Sequence, residues 1–261
     1  MPLLFLKNLY WELLKLNHDI SIDVCLACYN GEKYIGEQIG SILNQISDNS
    51  RLIVSDDGST DATLSIVRAF EDSRIILLKG PGLGVVKNFE YLCNFSKGDV
   101  VFLSDQDDIW AENKVVRMCE ELLNADLVVS NAFLLGDNQS LGVYEDLFSW
   151  RRPSPKIWRT IYKNGYVGCT MAFRKNLLPL ALPFPSGIPM HDQWIGLIGI
   201  CNGRTKIIED KLIYFRRHSS NVTSFESRRS KFLIVRDRVF ISFLIVLRIS
   251  ARRIAHFLNI K

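Results

Sequence analysis

The sequence predicts an α/β fold: a mostly parallel central sheet flanked by helices, with a C-terminal helical extension. Three observations carry that prediction. Strand-like apolar runs alternate with segments of helical periodicity between residues 22 and 124. Polar clusters follow the strand-like runs, at the carboxyl edge where ligands bind in such sheets. One run, Val100–Leu103, passes into Ser104-Asp105-Gln106-Asp107-Asp108, three carboxylates within four residues.

Taken in order, Ile22–Cys28 is β-rich and stops at the turn signal Tyr29-Asn30-Gly31. Ile35, Ile39, Ile42 and Leu43 place a helix between Glu32 and Gln45. Arg51–Ser55 is a second strand, halted by Asp56-Asp57-Gly58. Ser59-Thr60-Asp61 then offers an N-cap and acidic first turn for a helix running to Phe70. Arg74–Leu78 is the third strand, and the loop Gly80-Pro81-Gly82-Leu83-Gly84 leads to a helix over Val85–Phe95. Val100–Leu103 is followed by a helix over Asn113–Asn124 and a strand at Leu127–Asn131. Residues 136–165, rich in polar residues, Trp and Pro, read as a long excursion over the sheet. Gly168–Arg174 has strand character, Pro179–Pro189 is a loop, His191–Ile200 a helix, and Lys206–Phe215 a strand ending at Arg216-Arg217-His218. These divisions suggest an amphipathic segment at 1–20, a catalytic domain at 21–224 with halves at 21–131 and 132–224, and a basic tail at 225–261.

At 261 residues with 48% hydrophobic and 23% charged, the chain suits one large globular domain with terminal additions. A net charge of +4 does not mark a nucleic-acid binder. The tail from Phe225 holds nine Lys and Arg against two Asp and Glu, a local +7. From Arg228 it reads as an apolar helix or helix pair. Attachment to anionic lipid and packing on protein explain it equally well. Its longest uncharged apolar run, Val239–Leu247, has nine residues, against the roughly 20 a spanning helix needs. No secretory signal is expected, because Lys7 closes the short run Leu3–Leu6. The glycosylation pattern Asn221-Val222-Thr223 then reads as chance. Cys25 and Cys28, three apart on a strand, point to opposite faces and cannot share a metal. The six cysteines fit reduced, buried thiols and a cytosolic setting, while any membrane contact would be peripheral, at the inner face, and run through the basic tail.

Clustered carboxylates repel unless a cation sits among them, and hard divalent metals take oxygen ligands. The alternative is an acidic turn capping the next helix. Further polar clusters lie at Asp56-Asp57, at Met190-His191-Asp192-Gln193-Trp194, and at Tyr214-Phe215-Arg216-Arg217-His218.

Together, Ala27-Cys28-Tyr29-Asn30-Gly31, Ser55-Asp56-Asp57-Gly58-Ser59-Thr60-Asp61 and Leu103-Ser104-Asp105-Gln106-Asp107-Asp108-Ile109-Trp110 resemble glycosyltransferase family 2. The likeness spans about residues 22–223 and is nearest the bacterial rhamnosyltransferase-like members. It implies the GT-A nucleotide-diphospho-sugar transferase fold and an inverting, metal-dependent transfer. The donor would be a UDP- or dTDP-sugar, with rhamnose the leading candidate, and the acceptor a glycan or lipid-linked glycan of surface polysaccharide. By that resemblance Asp57 accepts from the pyrimidine base, with Ala27 and Tyr29 lining its pocket, and Asp56 is either the alternate or a brace of the turn. Asp105 and Asp107 form the metal-binding Asp-x-Asp pair, with Asp107 the direct ligand of Mg2+ or Mn2+ and Asp105 nearer the ribose; Asp108 assists through water, and His218 completes the metal or phosphate site. Arg217, with Arg216, steadies the departing diphosphate, and Lys87 or Asn88 approaches phosphate. Asp192 is the general base, in a chain that has His191 where many members have Glu; the alternative is a helix cap. His218 in a solvated surface turn is the plain alternative for that residue. An Asp-x-Asp phosphohydrolase and a non-catalytic glycan-binding protein are the rival functions. The first would favour Ser or Thr soon after the acidic pair, where Ile109 and Trp110 stand.

Overall fold

A computed structural model describes residues 20–136, 144–218 and 231–258, with the side chains of the last stretch described from 233 to 251. The proposed amphipathic segment, apart from Ile20, and the pattern at Asn221 lie outside the described residues. An eight-stranded sheet forms the centre, in the order β3-β2-β1-β4-β7-β6-β8-β5. Strands β1 (Ile22–Cys28), β2 (Arg51–Asp56), β3 (Ile75–Lys79) and β4 (Val100–Asp105) are mutually parallel. They are linked by helices α1 (Ile35–Leu43), α2 (Thr63–Arg68) and α3 (Val85–Phe95). The two-residue β5 (Ile109–Trp110) and α4 (Lys114–Leu122) lead to β6 (Leu127–Leu135). Short helices α5 (Leu147–Arg151) and α6 (Ile157–Tyr162) precede β7 (Met171–Arg174). Helix α7 (Leu178–Ala181), α8 (His191–Asn202), β8 (Thr205–Arg216) and α9 (Lys231–Leu258) complete the chain.

The sheet is parallel only in its first half. Strand β7 runs antiparallel to both β4 and β6, while β6 and β8 are parallel. Alternation along the central strands sends Val24, Leu26 and Cys28 into one apolar cluster and Cys25 and Ala27 into the other. The first cluster is closed by α1, α2 and α4, the second by α3, α8 and α9. The cysteines therefore diverge as expected, and all six are free.

Four expectations need adjusting. The excursion at 136–165 contains α5 and α6. Asp146 caps α5 in a reciprocal box with Ser149. The predicted strand Gly168–Arg174 begins as a 3-10 turn at Gly168–Thr170 and pairs only from Met171. Helix α2 starts at Thr63 because the three residues proposed to open it are tied to the loop after β1. Asn30 N–H donates to Ser59 Oγ at 2.8 Å, Thr60 N–H to Asn30 Oδ1 at 2.9 Å, and Glu32 N–H to Asp61 Oδ2 at 3.1 Å. The tail forms one 28-residue helix rather than a pair.

Candidate active site

The loops after β1, β2 and β4 meet at the carboxyl edge of the sheet. Strand register sets Ala27 beside Ser55 on one neighbour and Asp105 on the other. Ala27 is buried, whereas Tyr29 stands out at the rim, 57% exposed. Gln106, between the acidic residues, clamps the Tyr29 peptide from both sides. Its Oε1 accepts from Tyr29 N–H at 2.8 Å, and its Nε2 donates to Tyr29 O at 3.1 Å. Gly31 leaves room for that clamp, since a Cβ there would stand 2.2 Å from Gln106 Oε1.

The two carboxylates after β2 do different work. Asp56 is buried and accepts from Gly58 N–H at 3.2 Å, from Ser59 N–H at 3.0 Å and from the Ser59 hydroxyl. That geometry carries the brace reading of Asp56. Asp57 faces the glycine loop, where Gly82 and Gly84 N–H each donate to one of its oxygens at 2.7 Å. Both glycines have positive φ, 69° and 86°, which suits them to this turn. A carboxylate oxygen has a second lone pair, so Asp57 can still accept from a ligand. Lys87 pairs with Glu90 at 2.5 Å, and Asn88 is committed to Ser55 at 2.6 and 3.0 Å.

Strand β5 brings the acidic loop to the end of β8, pairing Ile109 with Tyr214 and Trp110 with Ile213. His218 Nε2 consequently lies 2.8 Å from Asp107 Oδ2. The imidazole stacks on Tyr34 with centroids 5.0 Å apart. Arg216 fastens the same corner, donating from its backbone to Asp108 Oδ1 at 3.0 Å and from Nε to Asp107 O at 2.9 Å. Its guanidinium also pairs with Glu37 at 2.6 Å.

Asp108, expected from the resemblance only to assist, is 1% exposed, and its Oδ2 has no hydrogen-bond partner among the described residues. Burial, then the charge of Asp107, pushes its pKa up to about 7. Asp105 is raised well above the usual carboxylate range by burial and by Asp107, Asp108 and Asp192. Buried Lys114 donates to the Cys169 carbonyl at 2.5 Å, and burial lowers its pKa to about 8. Candidate ligand atoms of Asp105, Asp108 and Cys169 lie within 4.8 Å of one another. Burial and the adjacent carboxylates hold the Cys169 thiol protonated, so the oxygens dominate this donor set. Crowded carboxylates, an orphaned buried oxygen and a neighbouring imidazole fit a hard divalent cation.

Across the sheet, Asp192 sits in the first turn of α8, whose N-cap is Met190, so Asp192 is not the capping residue. Its Oδ1 accepts from Asn164 Nδ2 at 2.9 Å and from Gln193 N–H at 2.5 Å. Burial raises its pKa to about 6 against the opposing pull of Arg151. Arg151, to which no sequence motif points, stands beside this candidate site. Its guanidinium lies 4.1 Å from the Trp150 ring centroid, that of Arg217 5.2 Å from the same ring. These two cations stand in the electrostatic field of Asp192 and Asp107 respectively. The nearest signal for Arg151 was the basic pair Arg151-Arg152 behind a Trp, which has no specific pattern. His191 is buried against Phe89, ring centroids 3.9 Å apart, and burial lowers its pKa to about 3.

Residues 23–178 match the family described as Glycosyl transferase family 2. The chain is 29% identical over 171 residues to the Escherichia coli UDP-Glc:alpha-D-GlcNAc-diphosphoundecaprenol beta-1,3-glucosyltransferase WfgD, covering 64% of this chain and 65% of WfgD. It thus spans just under two thirds of that relative's length. Against the dTDP-rhamnosyl transferase RfbG of Shigella flexneri, identity is 26%, over 82% of this chain and 80% of RfbG. The fold superposes on Staphylococcus aureus TarS solved with UDP-GlcNAc, at TM-score 0.65, 21% identity and coverage of 88% and 66%. It also superposes on Mycobacterium tuberculosis glucosyl-3-phosphoglycerate synthase solved with Mn2+, UDP and phosphoglyceric acid, at TM-score 0.52, 20% identity and coverage of 87% and 78%. The sheet, the joined acidic loop and the matched span lead to one conclusion: this chain belongs to glycosyl transferase family 2 and has the GT-A fold.

Proposed function

We infer that the chain is an inverting glycosyltransferase that moves a sugar, rhamnose first among candidates, from a dTDP- or UDP-sugar to a lipid-linked glycan acceptor. The setting is surface-polysaccharide synthesis, such as O-antigen, at the inner face of the cytoplasmic membrane. One observation carries this reading: the Asp105–Asp108 loop meets His218, while Asp192 lies close enough to influence Asp105. The rhamnosyl donor is supported by RfbG, the lipid-linked acceptor by WfgD.

Asp57 accepts from the N3–H of the pyrimidine base, in a pocket floored by Ala27 and edged by Tyr29. Asp105 approaches the ribose. Asp107, with Asp105 and His218, would hold Mg2+ or Mn2+, the latter present in the mycobacterial relative's structure. The bound cation supplies Lewis-acid neutralisation of the diphosphate oxygens. Arg217 and Arg151 add fixed positive charge beside Trp150 where the diphosphate departs. Asp192 takes the proton of the acceptor hydroxyl. The acceptor oxygen bonds to the anomeric carbon from the face opposite the diphosphate, the bond from that carbon to the diphosphate oxygen breaks, and the configuration inverts.

Asp192→Asn keeps the carboxylate's shape without its basicity, so it should bind donor normally and lose turnover by about a hundredfold or more. Asp107→Ala should lose metal-dependent transfer. Donor titration calorimetry with single-turnover transfer assays checks both. Unaltered transfer by Asp192→Asn removes the assignment of the base.

A further inference from the structure

Helix α9 has two apolar faces, and the described residues pack on one of them. Ile241 and Ile245, 1% and 2% exposed, are buried where α9 packs against α6 and α8. Arg248 reinforces the join by donating to the carbonyls of Leu180, Leu182 and Pro183 at 3.0, 2.8 and 2.6 Å. The outward face carries Val235, Val239, Phe243 and Val246, which are 54%, 65%, 58% and 61% exposed. Spacings of four, four and three residues keep these side chains on one stripe. The stripe adjoins exposed Trp158 and Tyr162 on α6, because Arg238 of α9 lies over the Tyr162 ring at 4.0 Å. Lys156, Arg159 and Lys163 are exposed on the same short stretch.

We propose that this outer stripe of α9, with Trp158 and Tyr162, is a docking surface for a bilayer containing anionic lipid. Apolar side chains ringed by aromatics and cations suit the boundary between headgroups and acyl chains. The charge supports lipid over a second copy. The tail is +7, so pairing two of these helices sets like against like, whereas an anionic leaflet attracts it. Among the described residues no helix is long and apolar enough to cross a membrane, which leaves α9 lying in the interface. The placement has a use: Tyr162 is two residues before Asn164, which holds Asp192 at 2.9 Å. A docked α9 therefore turns the acceptor half of the site toward the membrane. That purpose rests on the lipid-linked acceptor proposed above, but the docking itself is tested without it.

The full chain is sedimented with vesicles of phosphatidylcholine, with and without phosphatidylglycerol, in the absence of nucleotide sugar and acceptor. Binding is expected to the anionic vesicles and to weaken as salt is raised. The triple variant V239S/F243S/V246S should bind them at least about tenfold more weakly, with unchanged melting and UDP affinity. Charge reversal by Arg159→Glu with Lys163→Glu should lower binding to anionic vesicles alone. Equal binding by the triple variant, or no binding by the wild-type chain, overturns the proposal. So does a wild-type dimer in light scattering that the triple variant converts to monomer without any vesicle binding. Vesicle binding without sugar transfer to any polyprenyl-linked acceptor supports the docking surface and instead sinks the functional reading.

Discussion

Asp192 is held out of water in the first turn of α8, and its pKa of about 6 gives the proposed reaction a pH signature. Only the ionised carboxylate can take the acceptor's proton. Because the pKa is raised, the base is lost as pH falls through about 6 and is fully present well above it. The turnover number under donor saturation should therefore fall about tenfold per pH unit on the acid side and level off above. A rate unchanged down to pH values well below that point would exclude Asp192 as the base. At this scale much of the candidate site was legible as a set of positions, because Asp57, Asp107, Asp192 and His218 stand in distinct short motifs after apolar runs. Arg151 was not, since its importance comes from sharing the Trp150 ring with a residue 66 positions away, Arg217. The division of labour between Asp56 and Asp57 was equally hidden. Adjacent identical side chains are told apart only by which backbone N–H groups turn toward them.

Among the elements, β1 and α3 have the bounds expected, since a buried parallel strand and an amphipathic helix declare themselves locally. Strand β5 could not be read in advance. Two residues give no periodicity, and their partners lie some hundred positions downstream. Strand β1 also carries a dense polar cluster at its start. Asp23, 1% exposed, receives Arg51 at 2.7 and 2.5 Å, the N–H groups of Lys97 and Gly98 at 2.6 and 2.8 Å, and the Ser96 hydroxyl at 2.9 Å. Burial works against its ionised form, but Arg51 and these donors outweigh it, so the pKa lies below the ordinary 3.8. A depressed carboxylate contributes stability above the unfolded-state value and loses it as pH falls through the folded one. Asp23→Ala should cost about 3 kcal/mol or more, measured by urea denaturation at neutral pH, because it strands a guanidinium and several donors together. A loss below about 0.5 kcal/mol would show that the cluster is no anchor.

Over the whole molecule, the function proposed above assigns the two halves of the sheet to two substrates. The parallel half, whose regular alternation is plain in the sequence, carries the loops proposed to hold the donor. The mixed half, where β7 reverses against β4 and β6, has the helix bearing Asp192 between β7 and β8 in the chain, and its irregular pairing left little periodic trace. What joins the halves is the packing of long-range neighbours, which no local window of sequence reports.

The two-way grip of Gln106 on the Tyr29 peptide has a thermodynamic corollary. These bonds tie the rim of the proposed base pocket to the acidic corner, so occupancy of one is expected to alter affinity at the other, and by the same factor in both directions. Uridine lacks phosphates and cannot reach a cation at Asp107, which makes it a clean reporter. It should tighten Mn2+ binding by about fivefold in calorimetry, with Mn2+ tightening uridine equally, and Gln106→Ala should erase both effects. Cross-talk that survives that substitution would mean the message travels by another route.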